Sequence, residues 1–320
     1  MVVDVTHFSD PGCPWAYSAS PAHAVLRWRY GDQLRWRLVV IGLTEEAEQY
    51  ERRGYTPAGS ARGYLRFRRR GMPFATQPRA RVSATGLACR AIVATRLIAP
   101  ECEHAVFRAL QFAWFTTPLV LDAPDDLEEA LGRVDGLDAA AVLARLDDPE
   151  VEAAYQADRA EARTADGSPT YAQGKAAQTD GPVRYTAPSL IFERDGARLE
   201  AGGFQPVEAY DVLLANLDPA LERRPPSDDP LEILRALPFG LATQEIAAVM
   251  AGPNEAPHPE GAEAALIDLV ARGCVTRQAL GDDALWRVGP AARDQSGLGR
   301  TAPGRARAAH HTAPQRSGRR

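Results

Sequence analysis

Val2-Val3-Asp4-Val5-Thr6-His7-Phe8-Ser9-Asp10-Pro11-Gly12-Cys13-Pro14-Trp15-Ala16 is the stretch that decides the fold of this 320-residue chain. Residues 2–8 alternate and are rich in β-branched side chains, which predicts a strand. Ser9 to Gly12 is turn chemistry. Pro14 suits the first turn of a helix, where its missing N–H costs nothing. Cys13 is therefore predicted at a helix mouth, its sulfur facing unpaired N–H donors, a setting that lowers a thiol pKa. Ala16 stands where the second cysteine of a C-x-x-C dithiol would be. A Cys13 thiolate can attack a disulfide, but only a thiol from elsewhere can release the resulting mixed disulfide. Taken alone, Cys13 reads equally well as a small buried hydrophobe.

Phe8-Ser9-Asp10-Pro11-Gly12-Cys13-Pro14-Trp15 resembles the opening of the DsbA-like thioredoxin-fold proteins, in particular their intracellular FrnE-like branch. Tyr185-Thr186-Ala187-Pro188-Ser189-Leu190-Ile191-Phe192 is similar to that family's cis-proline loop and the strand it enters. Residues 193–203 then read as a hairpin, and Phe204-Gln205-Pro206 opens a helix to about Leu217. The resemblance spans roughly residues 1–222. It implies a cis Pro188, with Ala187 presenting backbone to a substrate chain; by itself Pro188 reads as an ordinary strand-entry proline. Ala16 departs from the family's dithiol, so the dithiol oxidase activity does not carry over.

The expected fold class is α/β: a thioredoxin-like fold with a large helical insertion, a small winged-helix-like domain and a disordered tail. A strand (2–8), a helix (14–30, bent at Pro21) and a strand (34–41) make the front half, and the back half resumes near residue 183. Between them, about 45–182 reads as helical, with segments at 90–97, 103–114, 125–134, 139–146 and 149–164. The family carries such an insertion beside its active-site helix.

Within the insertion, residues 61–81 hold seven arginines (62, 66, 68, 69, 70, 79, 81) and no acid, interleaved with Tyr64, Phe67 and Phe74. An arginine cluster can clamp carboxylates or phosphates, which makes Arg68 and Arg69 candidates for binding an anionic substrate or thiol cosubstrate. A solvated charged face is the plainer reading. His7 is a further candidate, since a nearby imidazolium lowers a thiol pKa, although alternation puts it on the face of Val3 and Val5 as a packed histidine. Cys89 lies in an apolar helical stretch, and Cys102 sits between two acids that raise a thiol pKa. Cysteine spacing speaks against zinc and against a disulfide framework.

Residues 223–229 (Arg223-Arg224-Pro225-Pro226-Ser227-Asp228-Asp229) read as a linker. Beyond it, helices at 230–237, 243–250 and 259–272 and strands at 274–280 and 284–288 resemble a winged helix. Residues 226–290 carry ten acids and four arginines. That sign opposes phosphate binding, so 230–290 is expected to contact protein and not nucleic acid. Residues 291–320 hold seven arginines, one acid and no apolar periodicity, and are expected to be disordered.

The chain has a formal charge of −5. It shows no signal-peptide pattern and no apolar run of membrane-spanning length, so a cytoplasmic protein is expected. Three functions stay open. The favoured one is a monothiol disulfide oxidoreductase built on Cys13, Pro14, Trp15, Ala16, Ala187 and Pro188, with no bound cofactor and glutathione or mycothiol as the resolving thiol. The second is an enzyme like the kappa-type glutathione transferases and 2-hydroxychromene-2-carboxylate isomerases. The third is a non-catalytic redox-fold binding or chaperone-like protein.

Overall fold

The computed structural model describes residues 2–297 apart from Asp180. In chain order, the front half is β1 (Val3–Ser9), α1 (Pro14–Ser18), α2 (Ser20–Tyr30) and β2 (Leu34–Val40). The insertion holds α3 (Ala47–Glu51), α4 (Pro57–Phe67), α5 (Gly86–Ile98), α6 (Glu103–Thr116), α7 (Pro124–Leu131), α8 (Ala139–Leu143), α9 (Pro149–Ala162) and α10 (Pro169–Ala172). The back half is β3 (Ala176–Ala177), β4 (Arg184–Tyr185), β5 (Ser189–Arg194), β6 (Ala197–Gly202) and α11 (Val207–Leu217). The C-terminal segment is α12 (Pro230–Ala236), β7 (Leu241–Ala242), α13 (Thr243–Met250), α14 (Pro259–Ala271), β8 (Val275–Leu280), β9 (Asp283–Val288) and α15 (Pro290–Gly297).

Four strands form one sheet in the order β2-β1-β5-β6. β1 runs parallel to β2, Val3 opposite Leu34, and antiparallel to β5, Phe8 opposite Ser189. The β5–β6 hairpin turns at Asp195-Gly196, both at positive φ, as a tight two-residue turn requires. β1 is buried on both faces. Val3 and Val5 pack with Leu26, Phe192 and Tyr210 on one side, and Phe8 packs with Val39, Tyr185 and Ile191 on the other. The predicted 14–30 helix is two helices, because the chain breaks at Ala19 and Pro21 falls in the first turn of α2. There its missing N–H leaves no helical bond unmade.

The insertion builds a core that it shares with Tyr17 of α1 and Leu285 of the C-terminal segment, in which Phe74, Trp114, Phe115 and Tyr155 are buried among the small residues of α5. It opens with α3 and α4, helices that the sequence reading did not place. α3 is only five residues long, and α4 buries Ala61 while Tyr64 and Phe67 pack against the insertion core.

The C-terminal segment does not stand clear of the body. Ile233, Ile246, Leu266 and Trp286 share a core with Ala24, Val25 and Trp28 of α2. Trp28 Nε1 donates to the Pro225 carbonyl at 2.7 Å. The Arg108 guanidinium of α6 forks onto Glu245 of α13 at 2.8 and 2.7 Å, with both side chains buried. The strands of this segment form a sheet in the order β7-β9-β8. α15 takes up the first residues expected to belong to a disordered tail, because Pro290 starts a helix and Ala292 is buried. Residues 298–320 of the expected tail lie outside the described residues. Among the described residues no helix is long and apolar enough to cross a membrane.

Candidate active site

The turn after β1 is held by one carboxylate. Asp10 is fully buried and accepts from the backbone N–H groups of Gly12 and Leu43, both at 2.9 Å, and from Thr85 Oγ1 at 3.1 Å. Cys89 Sγ also donates to it at 3.6 Å. The end of β1, the loop after β2 and the start of α5 thus meet on a single side chain. Gly12 is needed for close approach: a Cβ there would lie 2.5 Å from Thr85 Cγ2 and 2.9 Å from Trp114 Cζ2. Gly12→Ala is therefore expected to cost about 1–3 kcal/mol through overpacking, measured by urea unfolding. An unchanged midpoint would mean that the turn relaxes freely.

Cys13 occupies the N-cap of α1 with extended backbone, and Pro14 follows at the first helical position. The Ala187–Pro188 peptide is cis, and Cys13 Sγ donates to the Ala187 carbonyl at 3.1 Å. Loop and thiol come from positions 174 residues apart, joined by the β1–β5 pairing. The electrostatics depart from expectation. Burial, the largest influence, pushes the Cys13 thiol up to about 11; the Ala16 and Trp15 N–H groups and Arg184 pull it down, and Asp10 pushes it up. The helix mouth does favour a thiolate, but Cys13 is only 7% exposed, and desolvation outweighs those donors. The resting group is a thiol bonded to a carbonyl.

Cys13 lies on the wall of a cavity of about 620 Å³. Five arginines line it, Arg53, Arg66, Arg79, Arg81 and Arg184, and no described acid does. Arg79 is fixed by Tyr64 Oη and the Leu119 and Trp114 carbonyls, and Arg81 pairs with Asp122 at 2.8 Å. Arg53 donates to the Thr179 carbonyl and Arg184 to Thr179 Oγ1. Arg66, on the last turn of α4, is exposed.

The predicted arginines divide. Arg66, Arg79 and Arg81 face the cavity; Arg68 and Arg69 do not line it. Arg68 donates to the Phe74 carbonyl and pairs with Asp282 at the tip of the β8–β9 hairpin, while Arg69 is exposed. Arg70 stacks over Trp15 and Phe204 at 4.6 and 4.3 Å, covering one flank of the active-site turn. Sequence reasoning missed Arg53 and Arg184. The signal available for Arg184 was its place just before the Tyr185–Pro188 loop, already recognised as part of the site.

His7 does not line the Cys13 cavity. Its ring packs edge-on against His23 at 4.7 Å and near Phe107 and Trp36. Burial holds His7 and His104 well below the usual histidine range and pushes His23 down to about 3, with Arg27 reinforcing all three. Between those depressed values and the ordinary 6.5 or so, the unfolded chain binds more protons, so stability falls as pH drops below about 6.5. The expected slope is up to about 1.4 kcal/mol per pH unit for each histidine. Unfolding midpoints from pH 7.5 to 5.0 check this, and a flat profile would show the rings to be solvated.

No family model matches this chain, and no curated protein matches it. Among solved structures, it is similar to a candidate protein disulfide isomerase from Nitrosomonas europaea, at 19% identity and TM-score 0.50, covering 68% of this chain and 97% of that one. It is also similar to the cytosolic disulfide reductase DsbM of Pseudomonas aeruginosa, at 21% identity and TM-score 0.47, covering 68% and 100%. At such identity the likeness is one of fold: a thioredoxin-like sheet carrying a helical insertion.

Proposed function

We propose that this protein is a thiol-disulfide oxidoreductase that works through Cys13 alone, on small anionic disulfides and thiols. The observation that carries this reading is the placement of Cys13 Sγ, against the cis-proline loop and on the wall of a cavity with five arginines and no described acid. Guanidinium groups bind carboxylates bidentately, and glutathione, with two carboxylates, suits this wall better than the uncharged mycothiol.

In the exchange, the Cys13 thiolate attacks one sulfur of R–S–S–R′. The S–S bond breaks, Cys13–S–S–R forms and R′–S⁻ leaves to take up a proton. A second thiolate then attacks the R sulfur and returns Cys13 as thiolate, with no net electron lost by the protein. Because the resting thiol is protonated, exchange is slow near neutral pH until deprotonation occurs. The test is Cys13 alkylation against pH, followed by peptide mass spectrometry, with and without S-methylglutathione. Alkylation controlled by a pKa well above the about 8.5 of a free thiol, and protection by the analogue, are the expected results. No adduct with glutathione disulfide at pH 9 would overturn the reading.

A protonated, buried thiol beside Ala16 favours a second reading, a ligand-binding protein on a redox fold. It predicts that the analogue binds and no mixed disulfide ever forms. Residues 230–290 are read as a winged-helix-like unit for protein contact; the order helix, strand, two helices, two strands supports this, and their acidic charge speaks against nucleic acid.

A further inference from the structure

A second cavity, of about 20 Å³, borders Ala16 and Ser20 behind the active-site turn. That volume admits a small guest such as a water molecule or a halide ion. The walls come from β1, α2, β2, α6 and the C-terminal segment, which closes the cavity with Phe239 and Glu245.

Four buried polar atoms of its lining have no hydrogen-bond partner: His7 Nε2, His23 Nε2, Trp36 Nε1 and Arg108 Nε. Groups left so cost free energy unless a guest meets them. Trp36 Nε1 and Arg108 Nε can only donate. Arg27, also in the lining, has no carboxylate partner among the described residues. It lies over the Trp36 ring at 4.2 Å, and burial together with Arg108 disfavours its charge. The one acid present, Glu245, is engaged by both arms of Arg108 and by the Ala242 N–H. His104 adds a third imidazole, ring to ring with Phe239 at 4.6 Å. The cavity thus carries excess positive charge and surplus donors, and no described cluster of His, Cys, Asp and Glu could hold a metal cation.

We propose that this cavity binds one halide-sized monovalent anion, held by Arg27, Trp36 Nε1, Arg108 Nε and the His7–His23 pair. The anion compensates Arg27 and lies at the joint between the body and the C-terminal segment, whose Phe239 and Glu245 border the cavity, with the Glu245 carboxylate neutralised by Arg108. It also favours protonated imidazoles, so binding tightens as the pH falls toward the depressed range of His7 and His23.

The test is a crystal of the full chain soaked in sodium bromide, with anomalous data at the bromine edge. Alongside it run unfolding curves in sodium chloride and sodium gluconate at equal ionic strength, at pH 7.0 and 5.5. The expected results are a bromide peak between Arg27 and the His7–His23 pair, and a Tm about 2 °C higher in halide at tenfold Kd. The increment is larger at pH 5.5 and lost in Arg27→Gln. A water in the cavity, or equal Tm values in both salts at both pH values, overturns the proposal. So does a bromide peak without halide-dependent stabilisation, which is occupancy at crystal concentration only. If Arg27→Gln does not fold, the peak and the salt comparison on the parent chain still decide.

Discussion

Cys13→Ser is expected to reduce mixed-disulfide formation with glutathione disulfide to the uncatalysed background, whereas Cys89→Ser leaves it intact. Cys89 is fully buried and burial holds its thiol well above the usual range, so it presents no competing nucleophile. The companion variant Ala16→Cys is expected to change the kinetics in kind. Cys13 at the N-cap and residue 16 in the first turn of α1 have the C-x-x-C spacing of a redox dithiol. The parent adduct should persist until free thiol is added. In Ala16→Cys, the new thiol attacks Cys13 Sγ and expels the bound thiol without help. Quenched-flow mass spectrometry separates the two. An Ala16→Cys adduct that still waits for external thiol would mean that residue 16 serves the small cavity it borders and not the Cys13 sulfur.

Arg108→Met is expected to cost about 3–5 kcal/mol, because it leaves Glu245 buried without its counter-ion. Glu245 is 0% exposed and Arg108 6%, so solvent cannot replace the lost partner. The double variant Arg108→Met/Glu245→Gln should recover most of the loss. Gln keeps an acceptor for the Ala242 N–H that Glu245 now serves at 2.8 Å, while removing the charge. Urea unfolding of the single and double variants gives the coupling. A single variant within about 1 kcal/mol of the parent would show that α13 moves off α6 to let water in. The pair joins body and C-terminal segment across 137 residues, so its loss should also expose Trp28 and Trp286 to quenchers, since both lie in the shared core.

Much of the fold was legible from local chemistry. The β1–turn–α1 entry, the β5–β6 hairpin, α11 behind Pro206 and the helices of the C-terminal segment fall within a few residues of where alternation, prolines and turn residues put them. α3 and α4 escaped because α3 is only five residues long and α4 carries Gly59 and Gly63, poor helix formers, among its arginines. The sequence brought forward Cys13, the Ala187–Pro188 loop and three of the five cavity arginines, Arg66, Arg79 and Arg81, and left out Arg53 and Arg184.

What the sequence by itself determined is the order of elements and the place of the candidate nucleophile Cys13 at the mouth of α1. These follow from residues within a few positions of each other, where propensity, capping and turn geometry act. Only the tertiary structure decided that Cys13 rests as a thiol, that Arg53 and Arg184 join Arg66, Arg79 and Arg81 while Arg68 turns to Asp282, and that His7, His23 and His104 share a cavity with Arg27. Desolvation and charge pairing depend on which distant segments close over a group, and no local pattern encodes that.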